Sequence, residues 1–189
     1  MDVDQAIRQR RTHKFFGGGA MTEDCLRELL ELAIWAPNHG LTEPWRFTVV
    51  TGARLDALRG VIDAAFDAMD KGGEASGLLD LKRGKMGRRL AGTAAVIAVS
   101  YRQSPDKPAT DREDYAAAAC AAQNILLGAT ARGFVGLWST GKVMGHPLVR
   151  AFLRQGDEEA QVGVLFLGTP AQTAVARRTH SAEELTRWV

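Results

Sequence analysis

The sequence predicts an α+β or α/β fold, with at least three strands in one layer and helices around them. Three observations carry that prediction. Segments with apolar residues at helical spacing alternate along the chain with short runs rich in β-branched and aromatic residues. The continuous apolar run from Ala94 to Tyr101 has the length of a strand rather than of a helix. At 189 residues, 46% hydrophobic and 24% charged, the chain suffices for one domain with a substantial core, and no repeat or boundary divides residues 1–189.

Asp2 to Arg10 reads as a short helix with Val3, Ala6 and Ile7 on one face, and Arg10, Arg11 and Thr12 follow at its exit. Thr22 is the expected N-cap of the second helix, in which Leu26, Leu29, Leu30, Ala33 and Ile34 recur as one buried stripe until Pro37 stops it. Arg46 to Thr51 reads as a strand ended by Gly52, and a third helix follows with Leu55, Leu58, Ile62, Ala65, Phe66 and Met69 inward. From Lys71 to Gly92 the pattern loosens. Gly72, Gly73, Gly77, Gly84 and Gly87 are expected to break any long helix, making this stretch a mobile insertion.

Ala94 to Tyr101 is then the strand covered on both faces. After a loop with Pro105 and Pro108, Thr110 followed by Glu113 matches a capping box that opens a long helix through the Ala-rich stretch Tyr115 to Ala131. Gly133 ends it. Phe134 to Thr140 is a strand or extended turn, Pro147 suits the first turn of a helix from His146 to Arg154, and Gln161 to Leu167 is a last apolar strand. The tail after Thr169 and Pro170 has little periodicity.

Charge and cysteine content restrict the partners. With 24 Lys+Arg against 22 Asp+Glu the net charge is +2, too small to imply nucleic acid or a membrane surface. Cys25 and Cys120 are far apart and each inside a helical pattern, which suits free thiols rather than a disulfide framework or a metal cluster. No run reaches the apolar length of a signal peptide or a membrane span, so the expected compartment is the cytoplasm.

The motif that carries most chemistry is Arg10-Arg11-Thr12. Two guanidinium forks beside a hydroxyl can each bond a phosphate bidentately. For the dipeptide alone, a solvated basic helix end remains the alternative. Gly136-Leu-Trp-Ser-Thr-Gly141-Lys142-Val143 has the glycines and lysine of a phosphate-binding P-loop but lacks the closing Ser or Thr, and Trp138 would crowd the amides that must curl around phosphates. Gly17-Gly18-Gly19 follows no convincing strand and has Thr22 where a third fingerprint glycine belongs, which argues against a Rossmann site. Lys82, Arg83, Lys85, Arg88 and Arg89 lack interleaved aromatic residues, so they read as a solvated basic face able to attract an anionic substrate rather than as a nucleic-acid patch. The densest local signal is Trp35-Ala36-Pro37-Asn38-His39 through Pro44-Trp45-Arg46-Phe47, a loop held between a helix and a strand. His13, His146 and His180 show no metal spacing, and no catalytic triad can be assembled.

Four segments in this order give the chain a family likeness: Arg10-Arg11-Thr12; Ala36-Pro37-Asn38-His39 through Pro44-Trp45-Arg46-Phe47; Gly133-Phe134-Val135-Gly136-Leu137-Trp138-Ser139-Thr140-Gly141; and Val164 to Pro170. Together they span nearly the whole chain, which resembles the nitroreductase family of FMN-dependent, NAD(P)H-using oxidoreductases, especially its compact members. The resemblance implies a three-layer α+β fold with a central, mostly antiparallel sheet flanked by helices. It also implies a homodimer with each FMN at the subunit interface, the Ala-rich helix as dimer core, and Ala118 and Ala122 in that contact. By motif matching, Arg10, Arg11 and Thr12 contact the ribityl phosphate and pyrimidine side, His39 reaches the flavin from its loop, and Trp138, Ser139 and Thr140 supply contacts from the glycine-flanked turn. The stretch Gly128, Ala129, Thr130, Ala131, Arg132 and Gly133 is the corresponding candidate contact for the nicotinamide nucleotide. One position departs from the expected pattern: where a basic residue would precede Ala-Pro, this chain has Trp35, which cannot pair with phosphate and instead suits cover for the flavin or the substrate.

The residues agree with that implication. A flavin carries the electrons itself, so the protein needs to grip phosphate, offer donors to the polar edge of the ring and leave one face open. No side-chain nucleophile or acid is then required, and the acceptor that the resemblance implies is a nitro-aromatic, quinone-like or related small molecule that takes hydride originating from NAD(P)H. The alternatives are a flavin-binding protein without turnover, or a nucleotide-binding module using Gly141-Lys142.

Overall fold

A computed structural model describes residues 1–70, 74–176 and 178–189. Among them, β1 (Trp45–Thr51), β2 (Ala95–Arg102), β3 (Val135–Ser139) and β4 (Glu159–Gly168) form a sheet in the order β1-β2-β4-β3, every neighbouring pair antiparallel. β2 is central, and its pleat explains why the whole run is apolar. Ala95, Ile97, Val99 and Tyr101 pack with α2 (Glu23–Ala33) and α5 (Pro108–Ala131). Val96 and Ala98 pack on the other face with α3 (Ala53–Met69), α4 (Glu74–Ala91) and α6 (Pro147–Phe152). Helices cover both faces, which is the three-layer α+β arrangement expected from the resemblance.

Local chemistry sets the element ends. The Thr22 hydroxyl accepts from the Cys25 amide at 3.2 Å and opens α2, and His146 Nδ1 accepts from the Leu148 amide at 3.3 Å just before Pro147 at the first turn of α6. Gly133 closes α5 with φ 81°, a left-handed conformation that a side chain resists, while its amide returns to the Thr130 carbonyl.

Three sequence expectations are corrected. Glu74–Ala91 is one helix, α4, so Gly77, Gly84 and Gly87 do not break it. Each costs a helix roughly 1 kcal/mol relative to Ala, and docking offsets this: Met86 and Leu90 are buried against α3 and the sheet, and Arg83 donates to Asp67 of α3 at 2.6 Å. Gly72 and Gly73, also expected to break a helix, lie outside the described residues together with Lys71, the start of the expected loose stretch. α5 opens at Pro108, with Lys107 as an N-cap that makes no side-chain bond, so the Thr110–Glu113 capping box is not used. Proline, lacking the amide that a cap would satisfy, starts the helix three residues earlier than that box would. Finally, Ala118 and Ala122 are fully buried in this chain's own core, packed under the sheet and α2, and therefore do not face a partner. The exposed positions of α5 include Ala116 and Cys120.

Candidate functional site

The arginine segment is placed by β3. α1 (Val3–Gln9) is N-capped by Asp2, which accepts from the Gln5 amide at 2.8 Å, and it ends at Arg10. The chain then straightens, Thr12 forms a parallel bridge with Gly136 of β3, and the His13 amide donates to the Gly136 carbonyl at 3.0 Å. Further on, Phe16 bridges Pro170 and the Gly17 amide donates to the Thr169 carbonyl at 2.9 Å. The glycine run is thus a clasp across the end of β4. Gly18 and Gly19 have φ 87° and 84°, and Thr169 Oγ1 donates to the Gly18 carbonyl at 2.8 Å.

Within this frame Arg11 donates from Nη1 to the Arg10 carbonyl at 2.7 Å, and its Nε is buried without a partner. Burial, then the charges of Arg11 and Arg178, push the Arg10 guanidinium below its ordinary pKa. An orphaned donor and mutually repelling guanidinium groups are what a bound dianion would relieve, so this donor set fits a phosphate monoester. Arg11 lines a cleft of about 420 Å³ with His13, Val135 and the segment Pro170 to Ala174. His13 is buried, and burial lowers its pKa, so the imidazole stays neutral. Arg178 was not legible in the sequence. It lies in the aperiodic tail, and only the tertiary fold brings its charge to Arg10.

The turn after β3 is held from below. The Trp138 indole N–H donates to the Val162 carbonyl at 3.2 Å and lies over Gly163, where a Cβ would come within 2.1 Å of the indole nitrogen. The β2–β4 register slips at this point, with Val99 opposite Gly163 but Ser100 opposite Gln161, and the resulting bulge makes room for the indole. Ser139 and Thr140 follow at the open end, with Ser139 Oγ accepting weakly from the Gly141 amide at 3.4 Å. The P-loop geometry is absent. Gly136 sits inside β3, tight against Leu126 and Leu167, and a 3-10 turn (Lys142–Gly145) follows Gly141 where a phosphate-binding loop needs an α-helix.

Trp35 and His39 lie elsewhere. Trp35 is 77% exposed, beside α1, Leu32 and the Gly128–Arg132 stretch of α5 around an apolar cleft of about 300 Å³. His39 begins a 3-10 turn (His39–Leu41) in a strained loop: Gly40, Leu41 and Glu43 all have positive φ, and Leu41 is 83% exposed. Asp114 of α5, itself buried, pins this loop by accepting from Thr42 Oγ1 at 2.6 Å, and Asn38 Oδ1 accepts from the Glu43 amide at 3.2 Å. In the expected nicotinamide stretch, Gly128 and Ala129 are buried. A Cβ at Gly128 would come within 2.8 Å of Leu29 Cδ2, so this glycine permits α2 and α5 to cross closely. Thr130 Oγ1 donates to the Leu126 carbonyl at 2.8 Å, and Arg132 pairs with Glu28 at 2.8 Å. Ala131, Arg132 and Gly133 form the exposed end.

One chain therefore brings Arg10, Arg11 and Thr12 alongside the strand that carries Trp138 and Ser139, and brings Trp35 against Gly128 to Arg132. Among the described residues it does not bring these two groups, or His39, around one cleft. Among the described residues no group of His, Cys, Asp and Glu side chains is arranged to hold a metal ion, and no helix is long and apolar enough to cross a membrane.

A profile of the nitroreductase family matches residues 7–169. YdjA of Escherichia coli strain K12, named provisionally as an NAD(P)H nitroreductase, is 26% identical over 170 residues, covering 90% of this chain and 89% of its own. Among solved structures, a nitroreductase-like family protein from Bacillus cereus superposes with TM-score 0.85 at 25% identity, covering 100% of this chain and 96% of its own. A nitroreductase-type protein from Desulfovibrio desulfuricans, solved in complex with FMN, superposes with TM-score 0.70 at 25% identity, covering 98% and 95% of the two chains.

Proposed function

The chain belongs to the nitroreductase family, and from that premise we propose that it is a cytoplasmic FMN-dependent oxidoreductase. It takes hydride from NAD(P)H and reduces a nitro-aromatic, quinone-like or related small acceptor. The observation that carries this reading is the buried, unpartnered Nε of Arg11 beside Arg10, held on the same strand that presents Ser139. When bound, FMN supplies reversible two-electron chemistry that no side chain here provides.

The protein's part is to bind and orient. Arg10, Arg11 and Thr12 hold the ribityl phosphate and the pyrimidine side. Because the Trp138 N–H is already engaged by Val162, the turn contributes its backbone and the Ser139 and Thr140 hydroxyls. Trp35 and His39 come from the second copy. The dimer reading is supported by the separation of Trp35 and His39 from the arginines within one chain, and by exposed apolar residues on their side of the fold, Val3, Ile7, Leu41 and Tyr115 among them. The tail adds Trp188, 91% exposed, which suits an arm laid on a partner. Ala131 to Gly133 form the surface end of the nicotinamide contact. Cys25 and Cys120, both free thiols, suit a reducing compartment.

The absorption spectrum of the purified protein with added FMN, followed by anaerobic addition of NADH or NADPH, tests the reading. A yellow protein whose flavin bleaches is expected. Failure of FMN to bind below about 1 mM, roughly the weak limit for a specific site, would end the proposal. A bound flavin that never bleaches would leave a flavin-binding protein without turnover.

A further inference from the structure

Two motifs that the phosphate grip does not use, the basic run of α4 and the Gly141-Lys142 turn, face each other across a cleft of about 370 Å³. Lys82, Lys85 and Arg89, spaced i, i+3 and i+7, share one face of α4, and Lys142 stands on the opposite wall beside Ser139. The floor is apolar, built from Phe66 and Met69 of α3 with Met86. Among the described residues no carboxylate pairs with any of these four cations; the nearby Asp67 is occupied by Arg83. Arg89 is fixed rather than solvated: its Nε donates to the Lys14 carbonyl at 3.3 Å and its guanidinium lies 5.3 Å from the Phe166 ring. Burial lowers its pKa, a cost that a bound anion would offset. A solvated basic face would spread its charges into water. Here they converge from two separate elements over an apolar floor, the composition of a site for an aromatic body with one acidic group.

We propose that this cleft is the acceptor subsite and that Lys82, Lys85 and Lys142 select aromatic acceptors bearing a carboxylate. The proposal rests on the oxidoreductase reading above and adds the charge class of its acceptor. Ser139 is the link, since it lines the cleft and belongs to the turn assigned to the flavin. The ring lies on the Phe66–Met69–Met86 floor while the carboxylate sits among the lysines.

Benzoate, which cannot be reduced, is the direct probe. Calorimetric titration of the purified full chain with benzoate and with neutral benzamide is expected to show binding of benzoate only, weakened by salt. Each lysine should contribute roughly three- to tenfold, so Lys82→Ala/Lys85→Ala should weaken benzoate by about tenfold or more, and Lys142→Ala by a smaller factor. In turnover, the ratio of kcat/KM for 4-nitrobenzoate to that for nitrobenzene should fall by the same factor through KM, with nitrobenzene reduction affected far less than 4-nitrobenzoate reduction. Equal binding of benzoate and benzamide, or an unchanged ratio in both variants, overturns the proposal. So does a rise confined to the KM for NADPH, which would assign the lysines to the dinucleotide phosphates. A colourless protein inert toward nitrobenzene overturns the oxidoreductase reading and this one with it. A flavin-bound enzyme that reduces nitrobenzene yet ignores charge overturns this one alone.

Discussion

Removing the Arg11 side chain should separate cofactor binding from folding. Among the described residues Arg11 makes one side-chain bond, from Nη1 to the Arg10 carbonyl at 2.7 Å, and such a bond contributes about 0.5–1.5 kcal/mol net. Against this stand a buried Nε with no partner, a cost of about 1–3 kcal/mol, and the repulsion that helps lower the Arg10 pKa. The terms oppose one another, so Arg11→Ala should change the stability of the flavin-free chain by less than about 1 kcal/mol, a Tm shift of about 2–4 °C at most for a chain of this size. With FMN bound, the lost charge-assisted bonds are worth about 1.5–3 kcal/mol, a ten- to hundredfold weaker affinity. Excess FMN should then protect the variant less by the same amount, since protection follows the ratio of ligand concentration to Kd. Quenching of flavin fluorescence gives Kd, and thermal unfolding with and without FMN gives both stabilities. Arg10→Ala should weaken FMN similarly. Unchanged affinity in both variants would return the pair to a solvated helix end and refute the reasoning.

The exposed face of α5 makes the dimer testable: the wild-type protein should sediment as a dimer at micromolar concentration, and Cys120→Glu should yield a folded monomer that loses FMN. A wild-type monomer that keeps its flavin on dilution would refute the shared site. Ala118→Glu should instead fail to fold or lose most of its stability, because it buries an unpaired carboxylate in the core. For His13 the sign is fixed by burial. Its folded pKa lies below the ordinary value of about 6.5, so below that pH the unfolded chain takes up a proton that the folded chain refuses, and stability falls until the lowered folded value is passed. His13→Gln should flatten urea stability between pH 7 and pH 5, and an unaltered profile would show that the imidazole does not control it. Gly163→Ala places a Cβ 2.1 Å from the Trp138 indole nitrogen, so a loss of about 1–3 kcal/mol in urea unfolding is expected, and undiminished stability would mean the indole swings aside without cost.

What the sequence revealed, and what it hid, follows from which interactions are local. β2 was legible because a strand covered on both faces has no polar alternation, and α2 because Thr22 and a single apolar stripe mark one cap and one buried face. α4 was misread because glycine propensity counts a local cost and cannot see the docking of Met86, Leu90 and Arg83 that offsets it. The inward face of α5 was illegible for another reason. Ala116, Ala117, Ala118 and Ala119 are identical, so no periodicity distinguishes the positions under the sheet from those at the surface. The arginine pair could be singled out as a phosphate grip, yet its third charge, Arg178, reaches Arg10 only through the tail's path. Lys142 and the basic face of α4 were each visible, but their convergence depends on how α3 and α4 fold back over the β3 turn.

The chief consequence of the fold is that one edge strand positions both halves of the proposed flavin grip. Thr12 and His13 are bonded to Gly136, so Arg10 and Arg11 take their place from β3, and Ser139 and Thr140 leave the end of the same strand. β3 in turn is fixed by its ladder with β4, by the Trp138 N–H bonded to the Val162 carbonyl, and by close approaches: Gly136 has no room for a Cβ beside Leu126 and Leu167, and Trp138 fills the space over Gly163. Gly136, one of the two glycines that gave this segment the look of a phosphate loop, therefore serves packing. Its effect on the proposed cofactor site is indirect, because a strand displaced at Gly136 carries the arginines and the turn with it. In the proposed site the distance from phosphate grip to ring contacts is set within one chain by β3, while Trp35, beside α5, and His39, in the loop pinned by Asp114, would meet that site from a second copy.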